Sequence, residues 1–192
     1  DYRSFCKGIL AEIRDKPISF EVFADTLPEM QRQAMEIASW GSNVYVKIPV
    51  TNSEGKSTAA LVHELSHAAV KLNVTAVFTV AQGWEVIQAL AGGAPAVLSV
   101  FAGRIADTGR DPMPLMKRAV EIMAPNEKQE LIWASPRELL NIFHANEIGC
   151  HVITVTHDIL KKLSLVDKDL NEYSLDTVKM FYEDAVKASY KL

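Results

Sequence analysis

Short apolar runs alternate with longer amphipathic segments along this chain. The runs are Ile18–Phe23, Val44–Val50, Val74–Thr79, Ala96–Val100, Leu131–Ala134 and His151–Val155. Each is of strand length, rich in Val, Ile or Phe and apolar at both parities, the pattern of strands buried on both faces. Between them, Pro28–Trp40, Ser57–Leu72, Ala81–Leu90, Pro114–Met123 and Pro136–Ala145 read as helices. Leu27-Pro28 and Ser135-Pro136 place proline in a first helical turn, while Gly41, Gly92-Gly93 and Gly149 punctuate helix ends. Tyr2, Phe5, Ile9, Leu10 and Ile13 recur at helical spacing, so the chain opens in a helix. Tyr173, Val178, Phe181, Tyr182 and Ala185 close it in another.

Strands alternating with helices predict repeated βαβ units and a parallel sheet. No G-x-G-x-x-G turn follows any strand, which removes the main support for a dinucleotide-binding sheet. A (β/α)8 barrel needs eight strands and at least ~200 residues. Six strands behind a lone helix predict an α/β fold, a TIM barrel with only six of the eight strands present in this chain. Residues 1–192 are expected to form one partial-barrel domain.

Composition narrows the classes. The 192 residues are 48% hydrophobic and 23% charged, enough for one substantial core and unlike a disordered chain. Twenty basic against 24 acidic residues, with no basic run, argue against a nucleic-acid partner. No apolar stretch approaches the ~18 residues of a membrane helix, so no membrane partner is expected. Cys6 and Cys150 do not make a disulfide framework, and no signal peptide opens the sequence. Those features point to a cytoplasmic protein.

Functional groups of a barrel sit at the C-terminal ends of its strands and point inward. Lys47, inside Val44-Tyr45-Val46-Lys47-Ile48-Pro49-Val50, stands out. A charged lysine among buried apolar residues is costly to desolvate, and desolvation favours the neutral amine, the nucleophile of Schiff-base chemistry. The plainer alternative is a strand-end lysine that reaches water or pairs with a carboxylate. Glu21 interrupts the first apolar run. Asn73 and Thr75 share a parity in the third, Ser99 and Phe101 in the fourth, Trp133 and Ser135 in the fifth. Each alone reads as a satisfied buried polar group, whereas convergence at one end of several strands reads as an active site. Arg104 follows the fourth strand, and Arg137 is expected in the first turn of a helix capped by Ser135. Together they suggest an anion site for a phosphorylated substrate; pairing with Asp107 or Glu138 is the alternative for each.

His63-Glu64-Leu65-Ser66-His67 matches the zinc-protease pattern H-E-x-x-H. The expected apolar stripe of its helix runs through Leu61, Leu65, Ala68, Ala69 and Leu72, which turns both histidines towards solvent. No third ligand is evident downstream, so no metal is expected. His151, beside Cys150 at a strand start, reads as a packing residue.

These residues resemble the transaldolases, especially their small class, and the related fructose-6-phosphate aldolases. The resemblance spans essentially the whole chain. It runs through Ser19-Phe20-Glu21-Val22, Asn43-Val44-Tyr45-Val46-Lys47-Ile48-Pro49-Val50-Thr51 and Leu72-Asn73-Val74-Thr75-Ala76-Val77-Phe78, then Ala81-Gln82, Ser99-Val100-Phe101-Ala102-Gly103-Arg104 and Ala134-Ser135-Pro136-Arg137. It implies that Lys47 forms the Schiff base and that Glu21 and Thr75 hold the water of dehydration and hydrolysis. Asn73 and Ser99 would bind substrate hydroxyls, while Arg104, Ser135 and Arg137 would take the phosphate. Neither metal nor organic cofactor is implied. The aldolases carry glutamine at the position of Glu21 and tyrosine at that of Phe101, so both positions here are of transaldolase type. A tyrosine hydroxyl helps water act in the free-aldol reaction, and Phe101 lacks that donor.

The implied activity is transfer of a dihydroxyacetone unit between sugar phosphates in the pentose phosphate pathway. Its donor–acceptor pairs are sedoheptulose 7-phosphate with glyceraldehyde 3-phosphate, and fructose 6-phosphate with erythrose 4-phosphate. A fructose-6-phosphate aldolase, a catalytically silent phosphate-binding barrel fragment and a zinc peptidase are the alternatives. The resemblance also implies a homo-oligomer, with the apolar C-terminal helix docked on a neighbour or on its own barrel. The family's first strand supplies a general-base aspartate and its second a T-N-P segment; neither occurs here. The expectation is an incomplete barrel with exposed strand edges and poor activity.

Overall fold

Six parallel strands lie side by side in chain order, β1 (Ile18–Glu21), β2 (Val44–Pro49), β3 (Leu72–Val77), β4 (Ala96–Val100), β5 (Gln129–Trp133) and β6 (Val152–Ile153). The order never reverses, so there is no switch point of the kind that defines a doubly wound sheet. Each strand pairs only with its sequence neighbours, and the sheet curls as a partial (β/α)8 barrel, with six of the eight strands. This computed structural model describes residues 1–190, which fall into two compact units, Asp1–Val155 and the described residues from Thr156 onward. The sheet and helices α1 (Tyr2–Glu12), α2 (Leu27–Ala38), α3 (Ala59–His67), α4 (Val80–Leu90), α5 (Ala102–Ala106), α6 (Met113–Met123) and α7 (Leu140–Glu147) belong to the first. The second holds α8 (His157–Lys161), a 3-10 turn at Lys162–Leu165 and α9 (Leu170–Lys187).

One strand face carries the core. Val44, Val46 and Ile48 of β2, Leu72 and Val74 of β3, Leu98 of β4, and Leu131 and Trp133 of β5 are buried in one cluster with Met30 and Ala34 of α2, Leu65 of α3, Ile87 of α4 and Met116 of α6. The other face does not match the sequence expectation of strands buried on both sides. Burial alternates strictly along β2, and on β1 only Phe20 is buried. The reason is the partial barrel itself: helices cover the outer face, while the inner face of β1 and β2 opens to solvent. Only β4 is buried throughout.

Local chemistry sets the element ends. Asp1 caps α1, its carboxylate accepting from the Ser4 N–H at 2.8 Å. Thr79 and Gln82 form a capping box at the start of α4. Asp169 accepts from the Asn171 and Glu172 amides to cap α9, a helix none of whose described residues is buried. Lys168 beside it pairs with Asp176 at 2.5 Å, which pushes the lysine up and holds the carboxyl below its ordinary value. Helix α3 stops at His67, short of the expected Leu72. Ala69 turns to φ 66°, and the Val70 amide reaches back to the Leu65 carbonyl at 3.0 Å. This is a Schellman closure with alanine where glycine is favoured; β3 therefore begins at Leu72, two residues before the expected Val74. Among the described residues no helix is long and apolar enough to cross a membrane.

Left-handed backbone is unfavourable for alanine and free for glycine. Ala69→Gly should stabilise the protein by about 0.5–1 kcal/mol, read as a higher urea midpoint with an unchanged slope.

Candidate active site

Parity places the candidate residues on the inner face. Register pairs Glu21 with Lys47 and Lys47 with Asn73, setting a carboxylate, an amine and an amide at one level across β1, β2 and β3. Lys47 Nζ lies 3.3 Å from Glu21 Oε2, with their side chains 30% and 50% exposed. The lysine is thus not sealed in an apolar strand as its neighbours in sequence suggest; it stands at the open face and takes the carboxylate partner.

Asn73 and Ser99 are buried and linked. The Ser99 hydroxyl donates to Asn73 Oδ1 at 2.7 Å, and Asn73 Nδ2 donates to Ser19 Oγ at 3.0 Å. Both ends of the Asn73 amide are held, which fixes its orientation. Thr75, only 2% exposed, has a hydroxyl that finds no hydrogen-bond partner among the described residues. Leaving such a group unmatched costs about 1–3 kcal/mol, so it is poised for a ligand or water. Immediately after it Ala76 adopts φ 61°, and the β3–β4 register shifts between Val74 and Val77. This irregularity ends the regular ladder next to Thr75.

Beyond β4, the Phe101 ring packs at 5.6 Å from that of Phe78, and the Arg104 guanidinium carbon lies 5.2 Å from the Phe101 centroid. Gly103 presses on the β5 exit: a Cβ there would sit 1.5 Å from the Ser135 carbonyl oxygen. Ser135 itself has φ 56° and does not cap a helix. Helix α7 starts at Leu140, not Pro136, so Arg137 lies in the preceding loop. The Asn141 side chain takes the Arg137 and Glu138 amides at 2.8 and 3.2 Å, closing the helix start later than the proline suggests. Arg137 pairs with Asp107 through Nε to Oδ1 at 3.0 Å and through a second Nη2 contact to Oδ2.

A cavity of about 380 Å³ collects Lys47, Asn73, Thr75, Ser99, Phe101 and Ser135 on one wall system. Glu21 is tied to it through Lys47, whereas Arg104 and Arg137 are not among its lining residues. Ser19 and Thr154 line it as well, and sequence reasoning missed both. Ser19 shares the parity of Glu21, the signal that was available; Thr154 sits beyond a two-residue strand whose register the sequence does not mark.

On α3, His63 and His67 are exposed. Their Nδ1 atoms contact the Ala89 and His63 carbonyls at 3.2 and 2.9 Å. The apolar face of α3 is Leu61, Val62 and Leu65 with Ser66, while Ala68 and Ala69, expected to continue it, are exposed. Among the described residues no group of three His, Cys, Asp or Glu could hold a metal. His151 Nδ1 accepts the Leu131 amide at 3.1 Å, a structural bond between strands.

Two loops on the same side of the sheet are joined by Asp25, which follows β1, and Ser53, which follows β2. The Ser53 amide and hydroxyl donate to the Asp25 carboxylate at 2.8 and 2.7 Å. Those bonds, the amide first, hold the Asp25 carboxyl below its ordinary value.

Residues 2–192 match the model of a family described as Transaldolase/Fructose-6-phosphate aldolase. A probable transaldolase of Streptococcus equi subsp. zooepidemicus is 36% identical over 187 residues, covering 96% of this chain and 80% of that protein. Probable transaldolase 2 of Listeria monocytogenes is 35% identical over 171 residues, 87% of this chain and 75% of the relative. A probable transaldolase of Dehalococcoides mccartyi is 34% identical over 180 residues, 92% and 80% of the two chains.

A lowered folded pKa means the Asp25–Ser53 tie is complete above the ordinary aspartate value and is lost as pH falls through the lower folded one. The Ser53 amide should be protected from hydrogen exchange above about pH 4 and lose its protection, relative to the intrinsic rate, in more acidic solution. Protection that does not change with pH would separate the loops from this bond.

Proposed function

Because the chain belongs to the transaldolase/fructose-6-phosphate aldolase family, we propose that it is a transaldolase, moving a dihydroxyacetone unit between sugar phosphates through a Schiff base on Lys47. The observation that carries this reading is the Lys47–Glu21 pair beside the unmatched Thr75 hydroxyl on the inner face of the sheet. Schiff-base formation needs an amine that loses its proton, an acid–base group for the departing hydroxyl, and a place for the water formed. Glu21, at 3.3 Å, accepts the Lys47 proton. The free amine attacks the C2 ketone, and Glu21 returns the proton to the carbinolamine hydroxyl, which leaves as water beside Thr75.

The C4 hydroxyl passes its proton, through the water just formed, to the regenerated Glu21 carboxylate, and the iminium takes up the electron pair of the C3–C4 bond. An aldose phosphate departs and the three-carbon unit stays as an enamine on Lys47. Addition to a second aldose phosphate, followed by hydrolysis through the same Glu21 and Thr75, frees the lysine. Asn73 and Ser99 hold hydroxyls of the three-carbon unit, and their mutual hydrogen bond keeps the amide from rotating. The phosphate goes to Arg104, Ser135 and Arg137, with Asp107 orienting the guanidinium of Arg137. The donors are sedoheptulose 7-phosphate and fructose 6-phosphate, the exchange of the pentose phosphate pathway. Phe101 supports transfer over free aldol cleavage: it presents a ring and no hydroxyl to the cavity, leaving the enamine without a proton donor there.

Imine formation draws only on Lys47, Glu21 and Thr75, so it isolates the proposed chemistry from the carbon–carbon step. Borohydride treatment with fructose 6-phosphate should leave a reduced adduct on the peptide carrying Lys47, and Lys47→Met should abolish it without lowering the melting temperature. No adduct on the unaltered protein would reject the lysine mechanism and favour the silent phosphate-binding module. Phe101→Tyr should raise free fructose 6-phosphate cleavage relative to transfer by about tenfold, the equivalent of 1.4 kcal/mol in the barrier. An unchanged ratio would remove Phe101 as the selector.

A further inference from the structure

The cavity wall holds two polar side chains to which the reaction above gives no part, Ser19 and Thr154. Their hydrogen-bonding states differ. Thr154 Oγ1 donates to the Trp133 carbonyl at 3.4 Å, so its proton is taken by the main chain. Ser19 receives a bond from Asn73 Nδ2 at 3.0 Å, and among the described residues its own O–H donates to nothing.

The row Ser99, Asn73, Ser19 therefore has a direction. The Ser99 proton goes to Asn73 Oδ1, the Asn73 amide proton goes to Ser19 Oγ, and the one hydroxyl proton left unspent is that of Ser19. A hydroxyl that already accepts a bond is polarised to donate its own. Ser19 is exposed on the inner side of β1, and its bond to Asn73 on β3 spans β2, the strand that bears Lys47.

The sheet order gives the direction in which a ketose phosphate lies. The groups proposed for its phosphate follow β4 and β5, the reacting C2 is at Lys47 on β2, and β1 is the next strand beyond. The carbon on the far side of C2 from the phosphate is C1, with its hydroxyl. We propose that Ser19 is a substrate-contacting specificity residue that donates its free O–H to the C1 hydroxyl oxygen, selecting 1-hydroxy-2-ketose phosphates over their 1-deoxy analogues. Removal of that hydroxyl leaves Ser19 without its partner, and removal of the Ser19 hydroxyl leaves C1 without its donor. The contact is one bond, so the two losses are the same loss.

The inference rests on the Lys47 reading, and the test separates the two. Borohydride trapping is run with fructose 6-phosphate and with 1-deoxyfructose 6-phosphate, reading the half-saturating ketose concentration on the unaltered protein, Ser19→Ala and Ser19→Thr. Ser19→Ala should raise that concentration about tenfold more for fructose 6-phosphate than for the 1-deoxy ketose, the equivalent of one lost hydrogen bond; a loss common to both reports the Asn73 amide that Ser19 Oγ no longer holds. Ser19→Thr, which keeps the hydroxyl, should restore the preference for the 1-hydroxy sugar. Equal losses on both ketoses, or no loss on either, would overturn the proposal while adduct formation by the unaltered protein upholds Lys47. No adduct on the unaltered protein with either ketose would sink both readings.

Discussion

Val44, Val46 and Ile48 are buried under the helical layer, and that single constraint sends Tyr45, Lys47 and Pro49 to the other side of the strand. Everything proposed for the site follows from it. A side-chain period of two leaves no intermediate choice: a one-residue slip would put the lysine under α2 and α3 and expose the valines. The apolar face of β2 is thus what aims the amine, and the same logic holds on β3, where Leu72 and Val74 pack outward and Asn73 and Thr75 turn in. The helical layer decides which way those groups point, and α1 also holds the Glu21 main chain through the Tyr2 hydroxyl.

With parity settled, the inner face becomes a place where polar groups must find each other. Ser99, Asn73 and Ser19 do so in a line across four strands, and Lys47 and Glu21 do so across two. Thr75 is the exception, buried and unmatched. Ser66, Gln129 and Trp133 also carry a buried polar atom without a partner among the described residues, but of these four only Thr75 lines the cavity. The proposed phosphate end is built differently, from α5 and the loop before α7 instead of strands. Arg104 is laid over Phe101, and Arg137 is held by Asp107 while its loop is tied down by Asn141. Gly103 lets α5 close on the loop at Ser135, since any side chain there would run into the Ser135 carbonyl.

Much of this was legible in the chain. The alternation of apolar runs and amphipathic segments placed all six strands and showed most of the helices that separate them, though not α5, and the lone lysine in the second run pointed to the candidate site. Errors came where a local signal competed with packing. Ser135-Pro136 looks like a helix start, but Ser135 is needed in a left-handed turn against Gly103, so α7 waits for Asn141 to take the free amides. Ala68 and Ala69 continue a helical stripe on paper, yet the chain leaves the helix at Ala69 to enter β3. Ser19 passed unnoticed because a serine between Ile18 and Phe20 in a short edge run reads as a side chain turned to water.

The sequence by itself determined which residues lie on strands and which polar residues share a parity, because apolar runs and side-chain alternation are local features. Which parity faces the helices was left to the tertiary structure. The sequence also determined that a lysine and several hydroxyls share one end of the sheet. Only the tertiary structure decided who meets whom: Lys47 with Glu21, Asn73 with both Ser99 and Ser19, Arg137 with Asp107. Those pairings join residues 26 to 54 positions apart. They depend on the curl and register of the whole sheet, which no single segment encodes.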